Sequence, residues 1–340
     1  MAAAGHHERV VIRESGDGPG GGRRRGRRLT GQLGRSLALP GLRVVFGAAA
    51  LLAPALAPAE GVRVLGDLPF LPAGRAERLD LYLPQGGSGA ALRPAVVYFH
   101  GGGWYKGDKA TPREKEIGRA LAAAGYVFVS ANYRLGWKAW PTNLEDCENA
   151  VRFLRSHAAQ YRVDPSRIAA MGASAGGHLA LLVAYENGRD AGPASGSYAG
   201  VPCSVRAVID LYGITDLLTR CNVKPDGTPL CTLDDAHSEE MLGISRAKGS
   251  ALWAEASPVN HIGPDAPPTL IFHGLSDAIV DYGQAIELAN DLRAKHIPHK
   301  LVLIEGVGHE FDLQDTFRNG PLPFDLRPLV LQFLRETIGG

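Results

Sequence analysis

Arg167-Ile-Ala-Ala-Met-Gly-Ala-Ser-Ala-Gly-Gly-His178 is the stretch that decides how this chain folds. Arg167–Met171 is a β-rich run, and a helix-like run begins at Gly176. Ser174 therefore falls on a sharp strand-to-helix turn, the geometry that pushes a serine Oγ out of the top of a sheet. Gly172 and Gly176 let strand and helix approach closely around it. With 43 glycines in the chain, a chance Gly-x-Ser-x-Gly is the competing reading. The strand before and the helix after argue against chance.

Three further segments stand in the same relation to a strand. His100-Gly-Gly-Gly-Trp104 follows the apolar run Ala95–Phe99, Asp277 follows Pro268–His273, and His309 follows Lys300–Glu305 in the loop GVGHEF. A serine hydroxyl needs a base within hydrogen-bond reach to act as a nucleophile. Histidine suits that role, because its unperturbed pKa of ~6.5 lets it take and return a proton near neutrality. A carboxylate on the other ring nitrogen fixes the tautomer. These requirements select Ser174 as candidate nucleophile, His309 as base and Asp277 as orienting carboxylate. Asp281 reads as a helix N-cap and Asp216 as structural. The side-chain-free Gly102 and Gly103, with the N–H of Ala175, are the candidate donors to an oxyanion. His100 reads as structural, and the loop lacks the Lys-Ser/Thr of a phosphate-binding loop.

Between these segments, short apolar runs alternate with helix-like runs. Strands are expected at Asp80–Leu83, Ala95–Phe99, Tyr126–Ser130, Arg167–Met171, Val205–Leu211, Pro268–His273 and Lys300–Glu305. Helices are expected at Arg113–Ala124, Asn143–Gln160, Gly177–Glu186, Gly283–Ala294 and Pro323–Thr337. Continuous apolar strands alternating with helices imply an α/β fold: a mostly parallel, doubly wound sheet with helices on both faces. Ligands bind there beyond the carboxyl ends of the strands, where all four segments lie. Residues 214–261 break the rhythm and form an insertion before the acid loop, a cap or a surface excursion.

The chain has 340 residues and a formal net charge of +1, unevenly placed. Residues 1–59 carry nine arginines against three acids, leaving 27 basic and 32 acidic residues in 60–340. An acidic body has no electrostatic footprint for nucleic acid. The basic cluster Arg23–Arg28, which alone could be a nucleic-acid arm or nuclear signal, the apolar run Val44–Ala57 and the small-x-small sequence Ala57-Pro-Ala59 read together as a secretory signal peptide, against the alternatives of a disordered leader or an uncleaved anchor. Residues 1–59 are thus expected to be a leader and 60–340 a catalytic domain, exported to the periplasm or beyond. The apolar run is too short for a stable membrane span in the mature chain. Cys221 and Cys231 bracket a short polar loop and are a candidate disulfide in an oxidising compartment, against the alternative of two surface thiols. Cys147 reads as a core residue. No Cys/His spacing points to a metal, and no cofactor is expected.

Together, Asp80-Leu-Tyr-Leu-Pro84, His100-Gly-Gly-Gly-Trp104, Asn132-Tyr-Arg134, Asp164-Pro-Ser-Arg-Ile168, Gly172-Ala-Ser-Ala-Gly-Gly-His178 and Ser257-Pro258 resemble the HGGG-type, hormone-sensitive-lipase-like α/β-hydrolase esterases. The chain looks closest to bacterial exported carboxylesterases grouped with acetylxylan and feruloyl esterases. The resemblance runs from about Asp80 to the C-terminus. It implies an α/β-hydrolase fold, a cofactor-free serine carboxylesterase, and catalytic roles for Ser174, Asp277 and His309. The implied substrates are short-acyl esters, including acetylated carbohydrate or small aryl esters. Many lipase-like members have Asp in place of Ala173 and Asn in place of His178, so this chain leans toward the carbohydrate-ester side. It also lacks the proline often found after the acid, reading Ser276-Asp277-Ala278. An arylformamidase, a peptidase, or an inert binding protein on the same scaffold are the alternatives, the last disfavoured by a complete Ser/Asp/His set.

Overall fold

In the computed structural model, the described residues are 10–14, 61–86, 91–186, 198–220, 222–223, 229–230, 235–316 and 320–340. The main-sheet strands are β1 (Val10–Glu14), β2 (Val62–Leu68), β3 (Leu79–Pro84), β4 (Arg93–Phe99), β5 (Val127–Ala131), β6 (Val163–Ala173), β7 (Val208–Leu211), β10 (Thr269–Gly274) and β11 (His299–Ile304). Two small hairpins pair β8 (Asn222–Val223) with β9 (Pro229–Leu230), and β12 (Asp315–Thr316) with β13 (Gly320–Pro321). Among the described residues the sheet has nine strands in the order β1-β11-β10-β7-β6-β4-β5-β3-β2. The six from β11 to β5 run parallel, while β1 and β3 run against their neighbours.

The helices are α1 (Pro112–Ala123), α2 (Thr142–Ser156), α3 (Ala158–Tyr161), α4 (Ala175–Tyr185), α5 (Ala236–Leu242), α6 (Arg246–Glu255), α7 (Gly283–Ala294) and α8 (Arg327–Thr337). They cover both faces of the sheet. Ile117 and Leu121 of α1 join Val330, Phe333 and Leu334 of α8 in one buried cluster with Val96, Met171 and Phe272. Residues of α2, α4 and α7 join Val97, Ala170 and Ile271 in the cluster on the other face. Strands buried on both sides must be continuously apolar, which is why their sequences lack alternation.

The carboxyl ends of the central strands are in register. Phe99 pairs with Gly172, Ala173 with Leu211, Leu211 with Phe272, and Gly274 with Ile304. The loops that follow therefore leave the sheet at one edge, and the four sequence segments meet there.

The differences from the sequence reading have physical causes. The edge strand β2 was not expected. Its side chains are exposed or only half-buried, and a bulge with Asp67 at φ 56° interrupts its pairing with β3. Strand β1 lies inside the segment read as a leader, yet pairs antiparallel with β11; the β-branched run Val-Val-Ile was its only signal. The helix expected over Asn143–Gln160 breaks at His157 into α2 and α3. Helix α7 has Tyr282, not Asp281, at its N-cap position and no side-chain cap. The insertion read as irregular holds α5, α6, the β8–β9 hairpin and a 3₁₀ turn at Pro258–His261. Cys147 is buried in α2. Cys221, Cys231 and residues 15–60, with the candidate disulfide, basic cluster and apolar run, lie outside the described residues. Among the described residues no helix is long and apolar enough to cross a membrane.

Candidate active site

Ser174 sits between β6 and α4 with φ 54° and ψ −122°. This backbone conformation costs a non-glycine residue on the order of 1–3 kcal/mol and persists only where the surroundings enforce it. Here they do: Ser174 N donates to Leu211 O (2.8 Å), and its carbonyl accepts from His178 N (3.0 Å). A Cβ on Gly176 would collide with the carbonyl oxygens of Phe99 and His100, and one on Gly172 with that of Gly176. The close approach read from the sequence is present on both sides of the serine.

The three residues selected from the sequence are brought together. His309 Nε2 lies 2.9 Å from Ser174 Oγ, and His309 Nδ1 lies 2.6 Å from Asp277 Oδ2. The imidazole is held edge-on to Tyr212, with ring centroids 4.6 Å apart. Tyr212 is itself fixed by donating to Phe311 O (2.7 Å) and accepting from Arg113 Nη1 (3.2 Å). Asp277 is buried, and its Oδ1 accepts from the backbone N–H groups of Ile279 (2.8 Å) and Val280 (2.9 Å). Burial pushes its pKa up, but hydrogen bonds from His273 and His309 hold the carboxyl well below the usual range. It is therefore a carboxylate at neutral pH. Asp216 is elsewhere, accepting from Leu218 N (2.7 Å) and Ser257 Oγ (3.2 Å), in the structural role read for it.

The glycine loop folds back on itself. Tyr105 N and Lys106 N donate to Gly102 O (3.3 and 3.1 Å), and Gly102 and Gly103 have φ of 123° and 61°. Only glycine adopts the first of these freely. Gly102 and Gly103 share a cleft of about 300 Å³ with Ser174, Arg220, His237 and His309. Ala175 opens α4, so its N–H is one of the donors a helix start leaves without an intrahelical partner. A larger depression of about 1050 Å³, beside Arg155, Arg206 and Pro268, lies at the opposite ends of the strands. It lacks the serine–imidazole pair.

His100 is structural, as read. Its ring stacks on Tyr133 at 4.5 Å, its Nδ1–H donates to Gly101 O (2.8 Å), and burial brings its pKa down to about 4. The loop's far end is tied to α4. Trp104 Nε1–H donates to His178 Nδ1 (3.3 Å), and His178 Nε2–H donates to Ala256 O (2.7 Å). Both ring nitrogens are committed to the neutral form. Burial, with the Arg220 charge nearby, lowers the His178 pKa to about 4. A base with a depressed folded-state pKa loses stability as pH falls below its unfolded value of ~6.5. His178→Asn keeps a donor and an acceptor without that titration. The variant is expected to gain about 2 kcal/mol on the parent between pH 7 and pH 5. Denaturant unfolding at both pH values checks this; a gap that does not widen on acidification contradicts it.

Several residues around the site carried no sequence signal. His273 reads as one more member of an apolar strand, Arg220 falls in a stretch without periodicity, and the Tyr105–His237 ring stack (4.4 Å) joins segments over a hundred residues apart. Only the fold brings Arg220, Tyr105 and His237 to the cleft and His273 to the buried side of Asp277.

Residues 79–292 match the BD-FAE family. The chain is 30% identical over 283 residues to LipM of Mycobacterium tuberculosis, named a probable carboxylic ester hydrolase, covering 80% of this chain and 61% of that one. It is 30% identical over 231 residues to Esterase LipC of the same organism, covering 67% and 55%. It thus spans somewhat over half the length of these relatives. Among solved structures it is similar to a truncated carbohydrate esterase from gut microbiota, with a TM-score of 0.68, 25% identity, and 81% and 95% of the two chains covered. It is also similar to Thermogutta terrifontis esterase 2 phosphonylated by sarin, with a TM-score of 0.61, 26% identity, and 82% and 95% covered. The chain belongs to the BD-FAE family of α/β-hydrolases.

Proposed function

We propose that the protein is a cofactor-free serine carboxylesterase that hydrolyses short-acyl esters through an acyl-enzyme. The observation that carries this reading is the hydrogen-bonded line from Ser174 Oγ through the His309 ring to Asp277, opening on a cleft walled by Gly102 and Gly103. Ser174 Oγ attacks the ester carbonyl carbon as its proton passes to His309 Nε2. The developing oxyanion takes hydrogen bonds from the N–H groups of Gly102, Gly103 and Ala175, donors that are each typically worth about 10²–10³ in rate. The imidazolium, steadied by Asp277, protonates the departing alcohol. Water then attacks the acyl-enzyme, gives a proton back to Nε2, and releases the acid and the free serine.

The cleft also supports a restricted substrate range. At about 300 Å³ it is at the small end for a ligand site, and Lys106, Arg113, Arg220 and Glu310 are among its lining residues. These favour a short acyl group and a polar alcohol. The stacked Tyr105 and His237 rings offer a flat surface to a sugar or aryl ring. Acetylated carbohydrate and small aryl esters are the substrates proposed. Initial rates on acetyl, butyryl, octanoyl and feruloyl esters and on acetylated xylan test this; hydrolysis of the acetyl esters should exceed that of the octanoyl ester by at least tenfold. Equal rates along the series would contradict the short-acyl reading, and no turnover of any ester would remove the function.

Export through the N-terminal segment is part of the proposal. Cleavage near Glu60 removes β1 and leaves β11 at the edge of the sheet. The intact mass of the secreted protein is expected to begin near Glu60; a secreted chain still carrying Val10–Glu14 contradicts cleavage.

A further inference from the structure

We infer that His273 is a positioning residue for the candidate site, a second imidazole that pins the Asp277 carboxylate from beneath while His309 uses it from above. This rests on the catalytic reading of Asp277 given above. His273 is the penultimate residue of strand β10, and its ring is fully buried. Its Nε2 lies 3.2 Å from Asp277 Oδ2, the same oxygen that meets His309 Nδ1 at 2.6 Å. The same Nε2 lies 3.0 Å from Val280 O, so the nitrogen carries a proton that it donates to this carbonyl while facing Oδ2 at ion-pair distance. Asp277 therefore accepts three hydrogen bonds, two from backbone N–H groups on Oδ1 and one from His309 on Oδ2, and the His273 ring nitrogen stands in ion-pair range of that same Oδ2. A carboxylate held by one loop alone could rotate about its Cβ–Cγ bond. Held by β10 and the loop together, its Oδ2 stays aimed at His309.

The surroundings of the ring set how it acts. His273 is faced by Asp277 and the Val280 carbonyl from the loop after β10, and by Asp210 from β7, the residue paired with Ile271 on the same sheet face. Asp210 is fully buried and packed so tightly that a Cβ on Gly177 of α4 or on Gly213 would collide with it. Its Oδ1 accepts from Gly213 N (2.9 Å), whereas its Oδ2 and His273 Nδ1 are both buried without partners. Burial alone would lower the pKa of His273, yet the hydrogen bond to Asp277 and the two carboxylate charges bring it above its ordinary value. Burial raises the Asp210 pKa to about 7, opposed by His273 and the Gly213 N–H. A neutral core histidine with no task needs neither carboxylate beside it.

The consequences reach the reaction through the charge on Asp277. Loss of the His273 donor leaves that charge less satisfied, so the carboxylate binds a protonated His309 more strongly. The acid limb of the kcat/KM profile then moves to higher pH. The test is steady-state kinetics of the full chain on p-nitrophenyl acetate from pH 5 to 9, comparing the parent with His273→Phe and His273→Gln. His273→Phe keeps a ring in the core but removes the donor. It is expected to lower kcat by about 10- to 100-fold with KM within about threefold, the range of a lost hydrogen bond to a charged group. Its acid limb is expected to rise by about half a pH unit or more. His273→Gln, whose amide can still donate to Oδ2, is expected to recover most of kcat and return the limb toward its parental position. Should His273→Phe fail to fold, the glutamine variant alone decides, against His273→Met as a soluble non-donor of similar reach. Parental kcat and an unmoved acid limb in a folded variant without the donor overturn the inference while leaving the esterase reading intact. Absence of turnover in the parent would instead strike the esterase reading.

Discussion

Ser174→Ala is expected to lower turnover of p-nitrophenyl acetate by a factor on the order of 10⁶ while leaving the fold intact. The size follows from how many functions converge on one oxygen. In the proposed mechanism Oγ is at once the attacking atom, the proton donor to His309, from which it lies 2.9 Å away, and the atom that carries the acyl group. Among the described residues Ser174 is the only serine, threonine or cysteine lining the cleft, so no neighbouring hydroxyl or thiol of that kind is placed to take over. The fold should survive, since the bonds that hold the turn run through the Ser174 backbone to Leu211 and His178 and not through Oγ. Rates for purified variant and parent, with matched unfolding curves, check both halves. A residual rate of about 10³–10⁴ over water remains compatible, because the oxyanion donors are untouched. Activity within tenfold of the parent removes Ser174 from the mechanism.

Asp277→Asn carries the second largest expected effect, a fall in kcat of about 10⁴. The substitution preserves volume and removes a charge. Asp277 Oδ1 accepts from two backbone N–H groups, so an asparagine must place its oxygen there and its NH₂ toward His309 and His273. Against that NH₂, His309 Nδ1 can only be an acceptor, which puts the ring proton on Nε2. Nε2 then cannot accept from Ser174, and the imidazolium formed in attack has no counter-charge. Because the carboxyl of Asp277 is held well below its ordinary range, the parent also draws folding stability from the charge at neutral pH, fully present above pH ~4 and lost only as pH falls through the folded-state value. Asp277→Asn should therefore be less stable than the parent at pH 7, with the gap closing in strong acid. Kinetics at pH 7 to 8 and unfolding at two pH values measure the two effects separately. A kcat within tenfold of the parent would assign the orienting carboxylate elsewhere.

What the sequence made legible was everything encoded over short distances. The elbow around Ser174, the glycine loop and the acid and histidine loops are each a strand followed by a marked turn, and the register of the strand ends brings all four to one edge. Several motif residues away from the chemistry turn out to brace those loops. Asn132 accepts from Lys109 N and donates to Asp108, Lys109 bridges Asp67 and Asp80, and Ser257 accepts from Leu217 N. The two edge strands escaped notice for opposite reasons: β2 buries too little to show a pattern, and β1 is five residues inside a stretch dominated by glycine and arginine. His273 escaped because its meaning lies in the turn after β10, which folds Asp277 back over a strand residue four positions earlier. Arg220 escaped because its partners, Asp235 and the face of Trp104, come from other segments of the chain. Contacts of that kind are set by topology and leave no periodic trace in one segment.

The central claim is that the elbow, the imidazole and the carboxylate together make Ser174 an activated nucleophile. Reaction of the full chain with a fluorophosphonate, followed by intact mass and peptide mapping, tests it most directly. The account predicts one adduct per chain, on Ser174, which is lost in Ser174→Ala and slowed in Asp277→Asn. A folded protein that remains unlabelled, or that carries its adduct on another residue, would contradict it.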